Sequence, residues 1–243
     1  MKKKNATEIP NKGKFTLGYL IIVFICILFL FFSADVFTQD FFSRLLEPVV
    51  PDNFFGSNQR KMKPIIYLYP EQTTNVTVVL GYPQNATHTY PKYNEPWQVQ
   101  AKPDGTLTDL KTGRHYYALY WEGKDTVSMP NPKEGFVVAG KDTISFLEEK
   151  LEQLGLTERE AEEFIVYWLP KLESAKYNFI RFQTLAEQNK YMPLDITPQP
   201  KTLIRVMMEY KNLDKPIQIK EQVLSPKTQR DGFTVVEWGG TEI

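Results

Sequence analysis

The sequence contains little cysteine and little histidine. Of its 243 residues, one is Cys and two are His, namely His88 and His115. A single Cys excludes a disulfide framework within the chain and any metal site built from several cysteines. Zinc needs three or four nitrogen, sulfur or carboxylate ligands close together, so zinc clusters and HExxH metalloproteases are excluded too. We therefore expect no metal ion and no cofactor.

An excess of one charge is also absent. The chain carries 29 Lys and Arg residues against 29 Asp and Glu residues. Phosphate recognition normally needs a marked excess of Lys and Arg. The balance therefore argues against a nucleic-acid partner.

Motifs of nucleophilic catalysis are missing as well. A Ser, Thr or Cys nucleophile needs a base beside it, and only His88 and His115 could serve as histidine bases. His115 opens a predicted strand and His88 lies in a Thr-flanked loop, so both are interpreted as structural residues. Neither a GxSxG elbow nor an SxxK pair is present. The sequence thus favours a protein that is not an enzyme.

One string has the spacing of a phosphate loop. Residues 135–143 read GFVVAGKDT, just before a predicted helix. A phosphate loop wraps the phosphate with backbone N–H groups, but Phe136-Val137-Val138 is typical of a strand. Asp142 also stands where the magnesium-binding Ser or Thr belongs. We expect no nucleotide site here.

A long apolar run near the N-terminus is the strongest local signal. Residues 17–32 carry no charge, and with Phe15 and Thr16 the run approaches the length that spans a bilayer. Five lysines precede it and only Glu8 opposes them. The positive-inside rule predicts a cytoplasmic tail (1–14), a transmembrane helix (15–32) in the lipid bilayer, and a C-terminal part outside the cell.

A cleaved signal peptide is the alternative for this run. Its apolar core is usually shorter and ends in small residues. Ala34 could be the last residue removed, but bulky Phe32 would lie two positions before it, so the anchor is favoured. Cys26 is interpreted as an apolar side chain in lipid, because Phe24 and Ile25 are not the small residues of a lipoprotein signal.

Residues 33–62 form the predicted juxtamembrane helix and linker. Apolar residues recur at helical spacing over residues 35–46, which predicts a helix on the lipid surface or an extension of the membrane helix. After residue 32 the chain has 24 basic and 28 acidic residues and no Cys. The exported domain, residues 63–243, must therefore be stabilised by a packed core.

The exported domain begins with a β-rich half. Residues 65–69 and 76–80 are short runs of β-branched and aromatic residues, which predict two strands. Gly-containing turns at residues 103–106 and 111–114 predict a meander of strands at 97–101, 106–109 and 115–121. The last strand is apolar on both faces, so one face is covered by another layer or presents exposed rings.

Two helices and three strands complete the predicted α+β domain. Ile144, Leu147, Leu151 and Leu154 form the apolar stripe of the first helix, which ends at Gly155. A capping box at residues 157–160 begins the second helix, which Pro170 closes or kinks. The strands are expected at 177–184, 203–210 and 233–238, and the sheet is expected to be mainly antiparallel.

Two carboxylates are the candidates for catalysis. A glycosidase needs two carboxylates facing each other across a cleft, one of them kept protonated by an apolar setting. Glu122 and Glu237 both have aromatic neighbours in the sequence. Glu122 could instead be a strand-end residue, and Glu237 could form a structural ion pair with Arg181 or Arg205. In the catalytic alternative these arginines would orient the substrate.

Aromatic side chains crowd the β-rich half. Tyr rings combine apolar area with a polar tip, which suits docking surfaces for sugars or peptides, although the same residues also build β cores. Alternation places Tyr117 and Trp121 on one face of the predicted strand. They are the candidate docking residues, with Arg181 and Arg205 as candidate polar contacts.

Five strings carry a specific resemblance: KPIIYLYP at 63–70, TYPKY at 89–93, KPDGTLTD at 102–109, EFIVYWLP at 163–170 and GFTVVEWGG at 232–240. Through them, roughly residues 63–243 resemble a family of uncharacterised, mostly microbial proteins. That family has no established function, so the resemblance implies no activity, cofactor or site residue. The predicted membrane anchor lies outside the resemblance.

The expected function is non-catalytic recognition at the cell surface, directed at an envelope polymer or a protein partner. The first alternative is an envelope hydrolase that uses Glu122 and Glu237. The second is a scaffold that assembles through the membrane segment and the apolar stripe from Phe41 to Leu45.

Overall fold

A computed structural model describes residues 61–124 and 131–243. These residues belong to one compact unit, Pro48–Ile243. The predicted tail, the predicted transmembrane helix and nearly all of the predicted juxtamembrane segment lie outside the described residues. Within residues 61–124 and 131–243, no helix combines the length and the apolar character needed to cross a membrane.

The described residues form fourteen strands and three α-helices. The strands are β1 (Lys61–Met62), β2 (Ile65–Tyr69), β3 (Thr74–Leu80), β4 (Ala86–Tyr90), β5 (Trp97–Ala101), β6 (Leu107–Asp109), β7 (His115–Tyr116), β8 (Leu119–Lys124), β9 (Glu134–Ala139), β10 (Tyr177–Phe182), β11 (Leu194–Thr197), β12 (Thr202–Leu213), β13 (Lys220–Glu221) and β14 (Thr234–Glu242). The helices are α1 (Thr143–Gln153), α2 (Glu158–Leu172) and α3 (Leu185–Tyr191). The predicted α+β class is confirmed, and α3 is an addition to the two predicted helices.

The strands build two sheets. The large sheet has nine strands in the order β1-β8-β2-β14-β12-β10-β9-β13, with β4 also paired to β8. Only the β12–β14 and β9–β13 pairs in it are parallel. The small sheet has the order β11-β3-β5-β6-β7 and is antiparallel throughout. The predicted, mainly antiparallel pairing is therefore confirmed.

The domain has three layers because the large sheet is apolar on both faces. Side chains alternate between the two faces of a strand, so Ile66 and Leu68 face the small sheet whereas Tyr67 faces the helices. A first core lies between the two sheets and includes Val76 and Val99. A second core lies between the large sheet and helices α1 and α2.

The predicted meander is present, but its third strand is divided. Gly105 and Gly113 have φ angles of +85° and +70°, the left-handed conformation that the predicted turns require. The prediction of one strand at 115–121 was wrong, because the chain leaves the small sheet after β7 and joins the large sheet at β8. The run is apolar on both faces because it crosses from one sheet to the other.

Both predicted helices are present, with two differences in detail. Leu147 and Leu151 of α1 are fully buried, but Ile144 is 39% exposed and does not belong to the buried stripe. The capping box that begins α2 is confirmed by reciprocal hydrogen bonds between Thr157 and Glu160. Helix α2 continues past Pro170 to Leu172.

The string with phosphate-loop spacing forms strand β9 and a short 3-10 turn. Its glycines allow close packing. A Cβ atom on Gly135 would lie 2.3 Å from the Phe179 ring, and one on Gly140 would lie 2.0 Å from the carbonyl oxygen of Ala175. The prediction that Phe136-Val137-Val138 is a strand is confirmed.

Candidate functional site

Strands β4 and β8 form one end of the large sheet and carry exposed side chains on its helix side. In β8, Leu119 and Trp121 point into the core between the sheets, so Tyr120 and Glu122 point to the opposite, helix side. In β4, Tyr90 lies opposite Tyr120 and His88 lies opposite Glu122. Directly opposed residues share a face of the sheet, so Tyr120, His88 and Glu122 lie on the helix side. The ring of Tyr90, the last residue of β4, lies at the edge of the sheet and contacts Tyr116 of the small sheet.

Tyr117 belongs to the same side. Its ring centroid lies 6.4 Å from that of Tyr67, which packs against Trp238 in the core beneath the helices. The side chains of Tyr117 and Tyr90 are 58% and 52% exposed. We call Tyr117 and Tyr120, with His88, Glu122 and Lys63 and with Tyr90 at the edge, the tyrosine face.

The exposed rings are held by neighbours. Tyr67, under Tyr117, stacks on Tyr69 with a centroid distance of 6.2 Å and an interplanar angle of 3°. Tyr90 meets Tyr116 edge to face at 5.4 Å. The guanidinium of Arg114 lies 6.0 Å and 5.8 Å from the centroids of these two rings. Both exposed tyrosines are therefore presented on an ordered aromatic support.

Glu122 is the polar centre of the tyrosine face. Tyr120 Oη donates to its Oε2 at 3.0 Å, Lys63 Nζ lies 3.2 Å from Oε1, and His88 Nδ1 lies 3.6 Å from Oε2. Burial alone would raise the pKa of Glu122, but the hydrogen bonds from Tyr120 and Lys63 hold it below its ordinary value. Glu122 is therefore a fixed anionic acceptor at neutral pH.

Tyr120 is the matching neutral donor. Burial, followed by its hydrogen bond to ionised Glu122, raises the pKa of Tyr120 to about 12. The pKa of Lys63 is also raised: burial lowers it, but hydrogen bonding to Tyr167 and Glu122 outweighs burial. At neutral pH the face thus offers a carboxylate, an ammonium group and phenol hydroxyl groups.

Helix α2 borders the tyrosine face with further paired groups. Tyr67 Oη donates to Glu163 Oε2 at 2.5 Å, and Arg159 Nε lies 3.3 Å from Glu163 Oε1. The ammonium group of Lys171 lies 4.0 Å from the ring centroid of Tyr167. The border therefore contains charges of both signs.

Trp121 does not belong to this face. It is 8% exposed, lies in the core between the sheets, and donates from Nε1 to Glu237 Oε1 at 3.2 Å. The prediction that Tyr117 and Trp121 share one face is contradicted, because the chain bends at residues 117–118 between β7 and β8. Tyr117 is exposed on the helix side, whereas Trp121 is a core residue.

The structure also does not bring Glu122 and Glu237 together. Glu122 lies on the helix side of the large sheet, whereas Glu237 is 1% exposed on the other side. Arg205 Nη2 lies 2.6 Å from Glu237 Oε2, and the two residues are direct neighbours on parallel strands. Glu237 thus forms the structural ion pair with Arg205 that the sequence offered as the alternative to catalysis. Glu122 and Glu237 lie on opposite faces of the sheet and do not share a cleft.

Arg181 and Arg205 lie in a buried polar network under helix α3. Arg205 donates to the carbonyl oxygen of Met192 at 2.7 Å and to Asn189 Oδ1 at 3.1 Å. Arg181 lies 3.2 Å from Glu209 and 2.5 Å from Glu187. These partners occupy both arginines, and the network lies on the opposite side of the sheet from the tyrosine face.

Sequence reasoning missed most of the tyrosine face. Strand β4, which carries His88 and Tyr90, was interpreted as a loop because ATHTY has only weak apolar alternation. Lys63 was predicted only as the first residue of the exported domain. The one available signal was the alternation of Tyr120 and Glu122 with Leu119 and Trp121.

Comparisons with known proteins give no match. No family model, no curated protein and no solved structure is significantly similar to the chain. Within residues 61–124 and 131–243, no group of three or more His, Cys, Asp and Glu residues could hold a metal ion. The site must therefore be interpreted from its own geometry.

Proposed function

We propose that the protein is a membrane-anchored, non-catalytic recognition module. Its tyrosine face would dock an envelope polymer or a protein partner outside the cell, and residues 15–32 would anchor it with the N-terminus in the cytoplasm. The observation that carries the proposal is the exposure of Tyr117 and Tyr90, at 58% and 52%, on an ordered aromatic support.

Ordered aromatic side chains are efficient docking groups. A Tyr ring offers a large contact area with only two side-chain torsions, so it loses little conformational entropy on binding. The packing of Tyr117 against Tyr67 and of Tyr90 against Tyr116 further restricts the free rings. The two side chains therefore lose less conformational entropy when a ligand docks.

The protonation state of Glu122 supports binding over hydrolysis. A glycosidase acid must keep its proton near neutral pH, which requires a raised pKa. Tyr120 and Lys63 have the opposite effect on Glu122. Glu237, the other candidate carboxylate, is paired with Arg205 on the opposite side of the sheet.

The test is a sedimentation assay with insoluble envelope material from the source organism. The full chain in a mild detergent is compared with a Tyr90→Ala/Tyr117→Ala double variant. We expect the double variant to be retained at least about tenfold less, because two anchoring rings are lost. Tyr82→Ala is the matched control, since Tyr82 is 43% exposed but borders the cavity beside Trp121 and Glu237.

Two results would overturn the proposal. Equal retention of the double variant and the wild type would show that the tyrosine face is not the docking surface. Release of defined soluble fragments by the wild type would show catalysis. Tryptophan fluorescence checks the fold in every variant, because Trp97, Trp121, Trp168 and Trp238 are all buried.

A further inference from the structure

The composition of the tyrosine face indicates one class of ligand. Resting on the proposed function, we infer that this face binds a neutral glycan, with Tyr117 and Tyr90 stacking on pyranose rings and Glu122 and Lys63 binding their hydroxyl groups. This inference narrows the envelope polymer to a carbohydrate chain and assigns a role to each group.

The rings provide the stacking surfaces. A pyranose whose substituents are all equatorial presents axial C–H groups on both faces, and these C–H groups pack on the electron-rich face of an aromatic ring. Tyr117 and Tyr90 are the two rings of the face with more than half of their surface free. Their phenol hydroxyl groups can remain in water while the ring faces are covered.

The polar groups match sugar hydroxyls. Each hydroxyl group both donates and accepts, so neighbouring hydroxyls are best met by an acceptor beside a donor. Glu122 Oε1 and Lys63 Nζ provide this pair 3.2 Å apart. The Glu122 side chain is 15% exposed and that of Lys63 is 31% exposed, so the pair is ordered and still reachable.

The charge balance favours a neutral chain. Lys63 is paired with Glu122, and Arg159 on the border is paired with Glu163. Arg114 lies against the rings of Tyr90 and Tyr116. Glu122 would also repel an anionic polymer at the centre of the face. A polyanion needs an excess of unpaired cations, whereas Lys63 beside Glu122 is already paired with this carboxylate.

The experiment uses the full chain in a mild detergent and three soluble probes. Cellotetraose and tetra-N-acetylchitotetraose are neutral chains with equatorial substituents, and tetragalacturonate is an anionic chain of similar length. We expect saturation-transfer NMR to show contact of the neutral probes through their C–H protons. Titration calorimetry then gives their dissociation constants.

The variants separate stacking from hydrogen bonding. Tyr117→Ala is expected to weaken binding of the neutral probes about fivefold to tenfold, whereas Tyr117→Phe keeps the ring and stays within about twofold. Glu122→Gln is expected to weaken binding about tenfold, because it loses a charged acceptor. Tyr82→Ala is expected to bind like the wild type.

The outcomes distinguish this inference from the proposed function. If neither neutral probe binds, or only tetragalacturonate binds, while envelope retention still depends on Tyr90 and Tyr117, the glycan inference is wrong and the recognition module stands. Loss of retention after protease treatment of the envelope material would show that the ligand is a protein, and the glycan inference would again be wrong. If retention is independent of both tyrosines, both proposals fail.

Discussion

Two arginine–carboxylate pairs on one face of the large sheet differ in their access to solvent. The side chains of Arg205 and Glu237 are each 1% exposed, whereas Glu187, the partner of Arg181, is 24% exposed. A sealed ion pair gains little net stability, because desolvation of both charges offsets their attraction. A pair at the edge of the network keeps part of its hydration and can titrate.

At this residue scale we predict a pH-dependent effect of Glu187→Gln. Burial raises the pKa of Glu187, but the hydrogen bond from Arg181 and the backbone N–H of Thr184 hold it below the ordinary value of 4.5. A lowered pKa stabilises the fold above the unfolded-state pKa, and this stability is lost as the pH falls through the folded-state pKa. We expect the variant to lose about 1 kcal/mol at neutral pH and almost nothing once the pH lies below the folded-state pKa.

Denaturant unfolding followed by tryptophan fluorescence across this pH range tests the prediction. Gln can replace Glu in the capping box that begins α3, so the variant removes the charge and keeps the cap. Glu187→Ala, which removes both, is the control and should remain less stable at low pH as well. A deficit of Glu187→Gln that does not change with pH would contradict the role of the charge.

At the scale of elements, the sequence correctly predicted the strands and helices whose apolar residues recur at one clear spacing. Alternation predicted strands at residues 203–210 and 233–238, which overlap β12 and β14, and the helical stripe predicted α1. The run at 115–121 misled because a segment apolar on both faces gives no sign of where it changes sheets. Helix α3 was missed because it has only 7 residues and its capping residue, Thr184, lay in a predicted strand.

The packing of Gly140, just after β9, against the segment between α2 and β10 gives a prediction for Gly140→Ala. The added Cβ atom would lie 2.0 Å from the carbonyl oxygen of Ala175 and 2.6 Å from that of Glu173. Both atoms belong to the backbone, so the segment between α2 and β10 must shift. We expect a loss of about 2 kcal/mol or more in the free energy of unfolding.

Gly113→Ala is the matched control for Gly140→Ala. Gly113 has a φ angle of +70° but no atom within 4 Å of an added Cβ atom. Only backbone strain of about 1 kcal/mol is expected there. Equal losses in the two variants, measured by denaturant unfolding, would show that the close approach at Gly140 does not constrain the fold.

At the scale of the whole molecule, the sequence predicted the class of the domain but not the position of the site. Two helices and an apolar sheet could be predicted, because the buried residues of each element recur at a fixed spacing in the sequence. The tyrosine face depends on which strands pair at the end of the large sheet, and the sequence pattern does not show this pairing. Tyr117 was identified for its ring, whereas His88 and Tyr90 join it only through the pairing of β4 with β8. Lys63 joins it through the pairing of β1 and β2 with β8.

Recognition outside the cell requires the tyrosine face to lie on the far side of the membrane from the N-terminus. The sequence has one native Cys, Cys26, within the predicted transmembrane segment, so single introduced cysteines can report the topology. In intact cells, a membrane-impermeant maleimide should label Lys102→Cys, because Lys102 is exposed in the turn between β5 and β6. Lys3→Cys should be labelled only after permeabilisation, because the five lysines before the apolar run predict a cytoplasmic tail. Labelling of Lys3→Cys in intact cells would reverse the topology, and the tyrosine face would then be unable to meet an envelope polymer.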